Sequence, residues 1–364
     1  MAPSAGDSAE SSENRFVSAA QREVSAFTSR RPQSLSEFVG QAVTVSNLRV
    51  MLEAAQKRGA ALEHVLFAGP PGLGKTTLAH IIAHELGVGL TSTTGPLLER
   101  PGDLLAILTG LQERQVLFID EIHRLNRAVE ETLYPAMEQY KVDVIIGKGP
   151  GAKTIPLNLS PFTLIGATTR SGLLTAPLRD RFGAVFHLGF YTPEELAEIL
   201  RRKASEHSIE VSGECLLSIA AKSRGTPRVA LRLLKRVWDF AVVAGSNGIS
   251  PQLAAESLDR LGISNEGLDE MDRRILKLIL HNFSGGPVGI STIAAVLNEE
   301  RDTIEDVYEP YLMKAGFLEK TPRGRCATRK AYEYFRLPYA PERFAPLFEE
   351  SAGAAAGEGE DGVV

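Results

Sequence analysis

The stretch Gly69-Pro70-Pro71-Gly72-Leu73-Gly74-Lys75-Thr76-Thr77 constrains this chain more than any other. It satisfies G-x-x-x-x-G-K-[ST] in full. Before it, His64-Val65-Leu66-Phe67-Ala68 is a short apolar run of the kind buried in a parallel sheet. After it, Leu78 to Leu86 keeps a helical apolar spacing that stops at Gly87. Strand, glycine loop and helix together are what cradling a phosphate requires. The glycines let backbone N–H groups turn inward, and the helix N-terminus adds partial positive charge. In such a loop Lys75 reaches the β- and γ-phosphates, Gly72, Gly74 and Thr77 shape the cradle, and the Thr76 hydroxyl holds Mg²⁺. A bound nucleoside triphosphate, ATP with Mg²⁺, is the expectation. GTP is disfavoured, because no Asn-Lys-x-Asp guanine motif occurs.

A second segment gives the loop a partner. Gln115-Val116-Leu117-Phe118-Ile119-Asp120-Glu121 is an apolar strand with an acidic tip. Ligands in open α/β sheets sit at the carboxyl ends of strands, which places Asp120 in a Mg²⁺ shell and lets Glu121 polarise an attacking water. The box Asp120-Glu121-Ile122-His123 also occurs in a superfamily of helicases, but four letters carry little alone. Phe162-Thr163-Leu164-Ile165-Gly166-Ala167-Thr168-Thr169-Arg170 is another buried strand, ending in hydroxyls. Thr169 is the choice for a γ-phosphate contact, with Thr168 close behind.

At 364 residues the chain is too long for one ordinary core. Residues 1–20 and 346–364 read as polar or acidic disordered tails, 21–191 as the α/β ATPase domain, 192–262 as a small helical lid and 263–345 as a winged-helix head. The N-terminus lacks the order of a signal peptide, and no apolar run reaches the roughly 20 residues of a membrane span. Two distant cysteines, Cys215 and Cys326, suit a reducing, cytoplasmic setting. The net charge of −5 argues against a globally basic nucleic-acid binder.

Between the motifs, Ala42–Arg58 and Asn126–Tyr140 read as helices and residues 142–157 as a hairpin with a Gly/Pro tip. The hairpin has more aliphatics, among them Ile145, Ile146 and Ile155, than an exposed hairpin requires. They either pack on the domain or dock a partner. Arg179 and Arg181, beside Asp180, either form surface ion pairs or reach a neighbouring subunit's nucleotide. Residues 193–262 read as helical throughout. Arg228 stands in the first turn of a helix starting after Arg224-Gly225-Thr226-Pro227, where a cation opposes the dipole and suggests a phosphate contact.

The head reads as three helices, Leu268–Asn282, Ser291–Asn298 and Asp302–Ala315, and a hairpin over 317–328 turning at Pro322–Gly324. Its third helix bears Asp302, Glu305, Asp306 and Glu309, charges that repel phosphate. The wing is the reverse: Lys320, Arg323, Arg325, Arg329 and Lys330, with no acid from 320 to 330. Contact of that kind grips a nucleic-acid backbone without reading sequence.

The ordered set GPPGLGKTTLA (69–79), LFIDEIHRL (117–125), TLIGATTR (163–170), PLRDRFG (177–183), RGTPR (224–228), GGPVG (285–289), EERDTIED (299–306) and TPRGR (321–325) resembles the RuvB family of AAA+ motors. That family drives Holliday-junction branch migration in bacteria, and the resemblance spans roughly 22–340. It implies a homohexameric ring on DNA with nucleotide between subunits. Arg181 would then be a trans-acting finger, Arg228 a second phosphate sensor, and Arg31 and Tyr191 would line the pocket. The 142–157 hairpin would dock the RuvA tetramer that holds the four-way junction, and the RuvC resolvase would be a further partner. Arg301, Lys320, Arg323 and Arg325 would contact DNA.

Overall fold

The computed structural model describes residues 31–146 and 153–339. Both tails, and the tip of the hairpin at 147–152, lie outside the described residues. By contacts the chain divides into two compact units. One runs up to Arg273 and includes Asp302–Tyr311; the other comprises Arg274–Arg301 and the chain from Leu312 onward.

The first unit is built on five strands: β1 (Val65–Ala68), β2 (Leu90–Thr94), β3 (Val116–Asp120), β6 (Thr163–Thr168) and β7 (Ala184–His187). Their order is β2-β3-β6-β1-β7, with every pairing parallel. Alternation along each strand sends neighbours to opposite faces, and two hydrophobic cores result. Val65, Phe67, Phe118, Ile165 and Ala167 enter one, and Leu66, Leu117, Ile119 and Leu164 the other. Helices cover both faces, as a parallel sheet requires. Ala42–Arg58 and Lys75–Leu86 bury Leu48, Leu52, Ile81 and Ile82 in the first core; Pro101–Thr109 and Arg127–Gln139 bury Leu104, Leu108, Val129 and Leu133 in the second. The topology sets β6, which ends in Thr168, between the strand feeding the glycine loop and the strand ending in Asp120.

The hairpin is β4 (Lys141–Ile146) against β5 (Lys153–Asn158), antiparallel, with Val144 opposite Ile155. Val142 is buried, whereas Ile155 and Leu157 are exposed at 48% and 39%. Val142 therefore joins the core, while Leu157, its partner across the ladder, and Ile155 farther along present apolar side chains to solvent.

Thr192 opens the next segment with a reciprocal capping box to Glu195, and Pro193 occupies the first turn. Helices Pro193–Glu206, Gly213–Ala221, Pro227–Val243 and Pro251–Arg260 follow. Their apolar stripes, including Leu196, Leu200, Leu216, Leu233 and Leu234, join the first core of the sheet. The segment is not helical throughout. Two short strands, β8 (Glu210–Val211) and β9 (Gly248–Ile249), pair in parallel between the helices.

In the C-terminal sequence the expected helices form, two of them with wider turns. Glu270–Lys277 continues as a π-helical turn over Leu278–Asn282, and Ile304–Tyr308 is a π turn between Arg301–Thr303 and Glu309–Lys314. In the second unit the wing is β10 (Leu318–Thr321) against β11 (Gly324–Ala327), and Val288 adds a bridge on the free edge of β11 at Arg325. Gly324, with φ +144°, lets that backbone approach: a Cβ there would stand 2.6 Å from the Val288 carbonyl oxygen. A helix that the charge pattern did not announce, Arg329–Tyr334, follows the wing.

Candidate functional site

Immediately beyond the carboxyl end of β1, the chain turns through the glycine loop into the helix Lys75–Leu86. Gly72 and Gly74 take positive φ, +81° and +102°. A Cβ at Gly72 would lie 2.9 Å from Arg228 Cβ, and one at Gly74 would lie 3.1 Å from the Phe38 ring. Glycine is required here by conformation and by space. The loop borders a cavity of about 1120 Å³, a volume suited to a small-molecule ligand. Thr76 and Thr77 stand on its wall with Lys75.

The Lys75 ammonium donates to the carbonyl oxygens of Gly69 at 2.6 Å and Pro70 at 2.9 Å. Burial pulls its pKa down to about 8, against the opposing pull of Asp120 and Glu121. An anion entering the loop would therefore stabilise the charged form that burial disfavours.

Asp120 and Glu121 reach the same cavity from the tip of β3. Asp120 Oδ1 accepts from the Glu121 N–H at 3.0 Å, and Glu121 adopts a left-handed backbone, φ 50° and ψ 42°. Burial first, then the Asp120 charge, raises the Glu121 carboxyl above its ordinary range. The Thr76 hydroxyl and Asp120 carboxylate form an all-oxygen donor set. That set suits Mg²⁺, whose shell is completed by water and phosphate oxygens.

The two threonines ending β6 separate by environment. Thr169 lines the cavity, whereas Thr168 is fully buried and its hydroxyl meets His123 Nδ1 at 3.0 Å. Arg31, Tyr191 and Arg228 also line the cavity. Tyr191 is buried and donates to the Leu73 carbonyl at 3.2 Å, bracing the loop from behind. The cavity continues along basic side chains that sequence reading passed over: Arg201 and Arg202 on one helix, Arg232, Lys235 and Arg236 on another. The near-helical spacing of the second set after Arg228 was the available signal.

Arg181 is not on this wall. Its guanidinium stacks on the Tyr134 ring, 4.4 Å from the centroid, pairs with Glu138 at 3.0 Å and donates to the Pro177 carbonyl at 2.6 Å. It remains partly exposed, at 23%.

Of the expected wing contacts, Lys320 and Arg323 are exposed, as is Arg301. Arg325 differs: it is buried, 8% exposed. The cause is its strand. β11 is flanked by β10 on one side and by Val288 on the other, with Arg325 N–H donating to Val288 O at 2.8 Å. A residue on this inner strand is covered where one at the turn, such as Arg323, is not. Ile155 of the hairpin is exposed, whereas the side chains of Ile145 and Ile146 lie outside the described residues.

Three family models match consecutive parts of the chain: the Holliday junction DNA helicase RuvB P-loop domain at residues 30–188, the RuvB AAA lid domain at 191–264, and the RuvB C-terminal winged helix domain at 265–336. The chain belongs to the RuvB family. It is a P-loop ATPase of that family, with a parallel-sheet core, an AAA lid and a winged-helix domain. It is 57% identical, over 316 residues, to the Holliday junction branch migration complex subunit RuvB of Dehalococcoides mccartyi (strain CBDB1), covering 87% of this chain and 90% of that protein. The solved Thermotoga maritima RuvB Holliday junction branch migration motor superposes with a TM-score of 0.79 at 51% identity, covering 85% of this chain and 99% of that one. A point mutant of the same Thermotoga protein gives 0.80, covering 85% and 100%. No described helix is long and apolar enough to cross a membrane.

Proposed function

We propose that this chain is the ATP-driven motor subunit of a Holliday-junction branch migration complex. The observation that carries this reading is the convergence of Lys75, Thr76, Asp120, Glu121, Thr169 and Arg228 on one cavity in a member of the RuvB family.

The residues divide the work of phosphoryl transfer to water. Lys75 and the loop N–H groups bind the β- and γ-phosphates, and Arg31 and Tyr191 bound the pocket. Thr76 and Asp120 would hold Mg²⁺, which when bound would neutralise the charge that develops on the phosphates. Glu121, whose carboxyl burial holds above its ordinary range, takes the proton of the attacking water. Thr169 and Arg228 bind the γ-phosphate. Arg181, lying away from its own cavity and partly exposed, acts on the nucleotide of the neighbouring subunit in a homohexameric ring around DNA.

Outside the site, Arg301, Lys320 and Arg323 grip the DNA backbone by charge; buried Arg325 supports the wing. The hairpin presents Ile155 and its flanking residues to RuvA, and the junction so processed passes to the RuvC resolvase in the cytoplasm. A sequence-specific transcription factor is disfavoured by a feature of the third head helix: its acids Asp302 and Asp306 are occupied with Arg170.

The test is ATP-dependent dissociation of a synthetic four-way junction in the presence of RuvA. Wild type is expected to yield duplex products and Lys75→Ala none. ATP hydrolysis with an intact junction would retain the ATPase and reject the assigned substrate.

A further inference from the structure

The box Asp120-Glu121-Ile122-His123 contains one residue that the proposed mechanism leaves without a task. His123 lies in the short 3-10 turn Ile122–Arg124 that follows β3, and its side chain is only 5% exposed. Its Nε2 faces Glu121 Oε2 at 3.4 Å, and its Nδ1 faces Thr168 Oγ1 at 3.0 Å. The Arg170 backbone N–H donates to that same Thr168 oxygen at 3.0 Å. The imidazole therefore bridges the tips of two adjacent strands. One carries the acids, and the other carries the hydroxyl aimed at the cavity.

Donor and acceptor counting gives this bridge a direction. A backbone N–H only donates, so Thr168 Oγ1 accepts from Arg170. The same oxygen keeps a second lone pair and its own proton, so the direction of its contact with His123 Nδ1 is set by the imidazole tautomer. Burial holds the imidazole below its ordinary pKa, which keeps the ring neutral with a single N–H. An ionised carboxylate only accepts, so beside Glu121 that N–H belongs on Nε2, and Nδ1 is left to accept from the Thr168 hydroxyl. Backbone, hydroxyl, imidazole and carboxylate thus form one line of donors ending on the proposed base.

We propose that His123 is a positioning residue for ATP hydrolysis. It fixes the Glu121 carboxylate by an Nε2–H hydrogen bond and ties its orientation to the tip of β6, where Thr169 meets the γ-phosphate. His123 exchanges no proton during turnover; the water proton goes to Glu121. The left-handed backbone at Glu121, a conformation uncommon for a non-glycine residue, is consistent with a carboxylate whose placement the surroundings dictate. This inference rests on Glu121 being the base, and the test separates the two.

Steady-state ATPase and nucleotide affinity are measured for the full chain carrying His123→Phe, His123→Gln, Glu121→Gln, and the double variant Glu121→Gln with His123→Phe. Phenylalanine keeps a ring but removes both hydrogen bonds, whereas glutamine returns an amide N–H near the position of Nε2. The expected result for His123→Phe is a fall in kcat of about tenfold to a hundredfold, the scale of a misplaced catalytic group, with KM and nucleotide Kd within twofold of wild type. His123→Gln should recover at least a third of the lost rate on a logarithmic scale. In the Glu121→Gln background His123→Phe should cost nothing further, because it acts only through Glu121.

A His123→Phe rate within twofold of wild type, in a background where Glu121→Gln is inactive, overturns the proposal and leaves the base in place. A matched loss in nucleotide Kd, or no recovery by glutamine, overturns it as well. If Glu121→Gln itself turns over at the wild-type rate, it is the assignment of the base that fails. Thr168→Val, which keeps the volume and removes the hydroxyl, provides the independent variant should the phenylalanine chain not fold. It should lower kcat in the same direction at unchanged KM, and an unchanged kcat would overturn the proposal.

Discussion

Two arginines in the first unit hold acidic side chains in clusters of similar chemistry and different burial, two acids around Arg224 and three around Arg170. Arg224 pairs with Asp269 and Asp272 at 3.0 Å each, donates to the Val307 carbonyl at 3.3 Å and lies over the Tyr311 ring at 4.9 Å. It is 7% exposed and Asp272 is fully buried. Arg170 pairs with Asp306 at 2.6 Å and Asp302 at 3.0 Å, with Glu305 at 3.7 Å, but Asp302 is 63% exposed. The contrast teaches that the same ionic chemistry does two jobs. Where water is excluded, losing one partner strands a charge, so the cluster fixes the fold. Where water can replace a partner, the cluster is worth little stability and is free to open.

The largest expected effect is therefore Arg224→Ala, a loss of about 3–5 kcal/mol in denaturant unfolding. Its backbone φ of 58° is unchanged in cost, because alanine carries the same Cβ. A loss under 1 kcal/mol would collapse the distinction between the two clusters. Well above neutral pH, Asp272→Asn should cost about 2 kcal/mol, since a buried neutral amide still accepts from Arg224 but surrenders the charge-assisted bond. Burial pushes the Asp272 carboxyl up to about 7, so the cost should shrink as pH falls through that value. Arg170→Ala should cost about 1 kcal/mol in the same measurement. Asp302→Asn should be the smallest, below about 0.5 kcal/mol, and vanish in 1 M salt, where the screening length is roughly 3 Å. The Arg224→Ala effect should survive that salt. If both effects vanish together, burial is not what separates the clusters.

These clusters also mark where the sequence stopped being informative. The acids Asp302, Glu305, Asp306 and Glu309 read as a helix face unfit for DNA, and their spacing gave no hint that Arg170, more than a hundred residues away, was their counterion. Likewise, Arg323 and Arg325 looked equivalent on the chain. A strand position next to Val288 buried one, and a turn exposed the other. His123 was visible only as the fourth letter of a short box, and the groups its two ring nitrogens face come from Glu121, at 3.4 Å, and from β6, at 3.0 Å.

The sequence by itself determined the glycine loop with Lys75 and Thr76, the acidic tip of β3, the hydroxyl tip of β6, and the start of the lid at Thr192 and Pro193. Each is a local matter. Positive φ at Gly72 and Gly74, an apolar run ending in polar residues, or a cap followed by proline is dictated by neighbours within a few positions. The strand order β2-β3-β6-β1-β7 was decided only by the tertiary structure. So were the placing of Thr169 on the cavity wall and of Thr168 inside against His123, the burial of Arg325 and the pairing of Arg170 with the acids of residues 302–306. Those outcomes depend on which distant segments share a surface and how much water they exclude, and burial and counterions are properties of the packed chain.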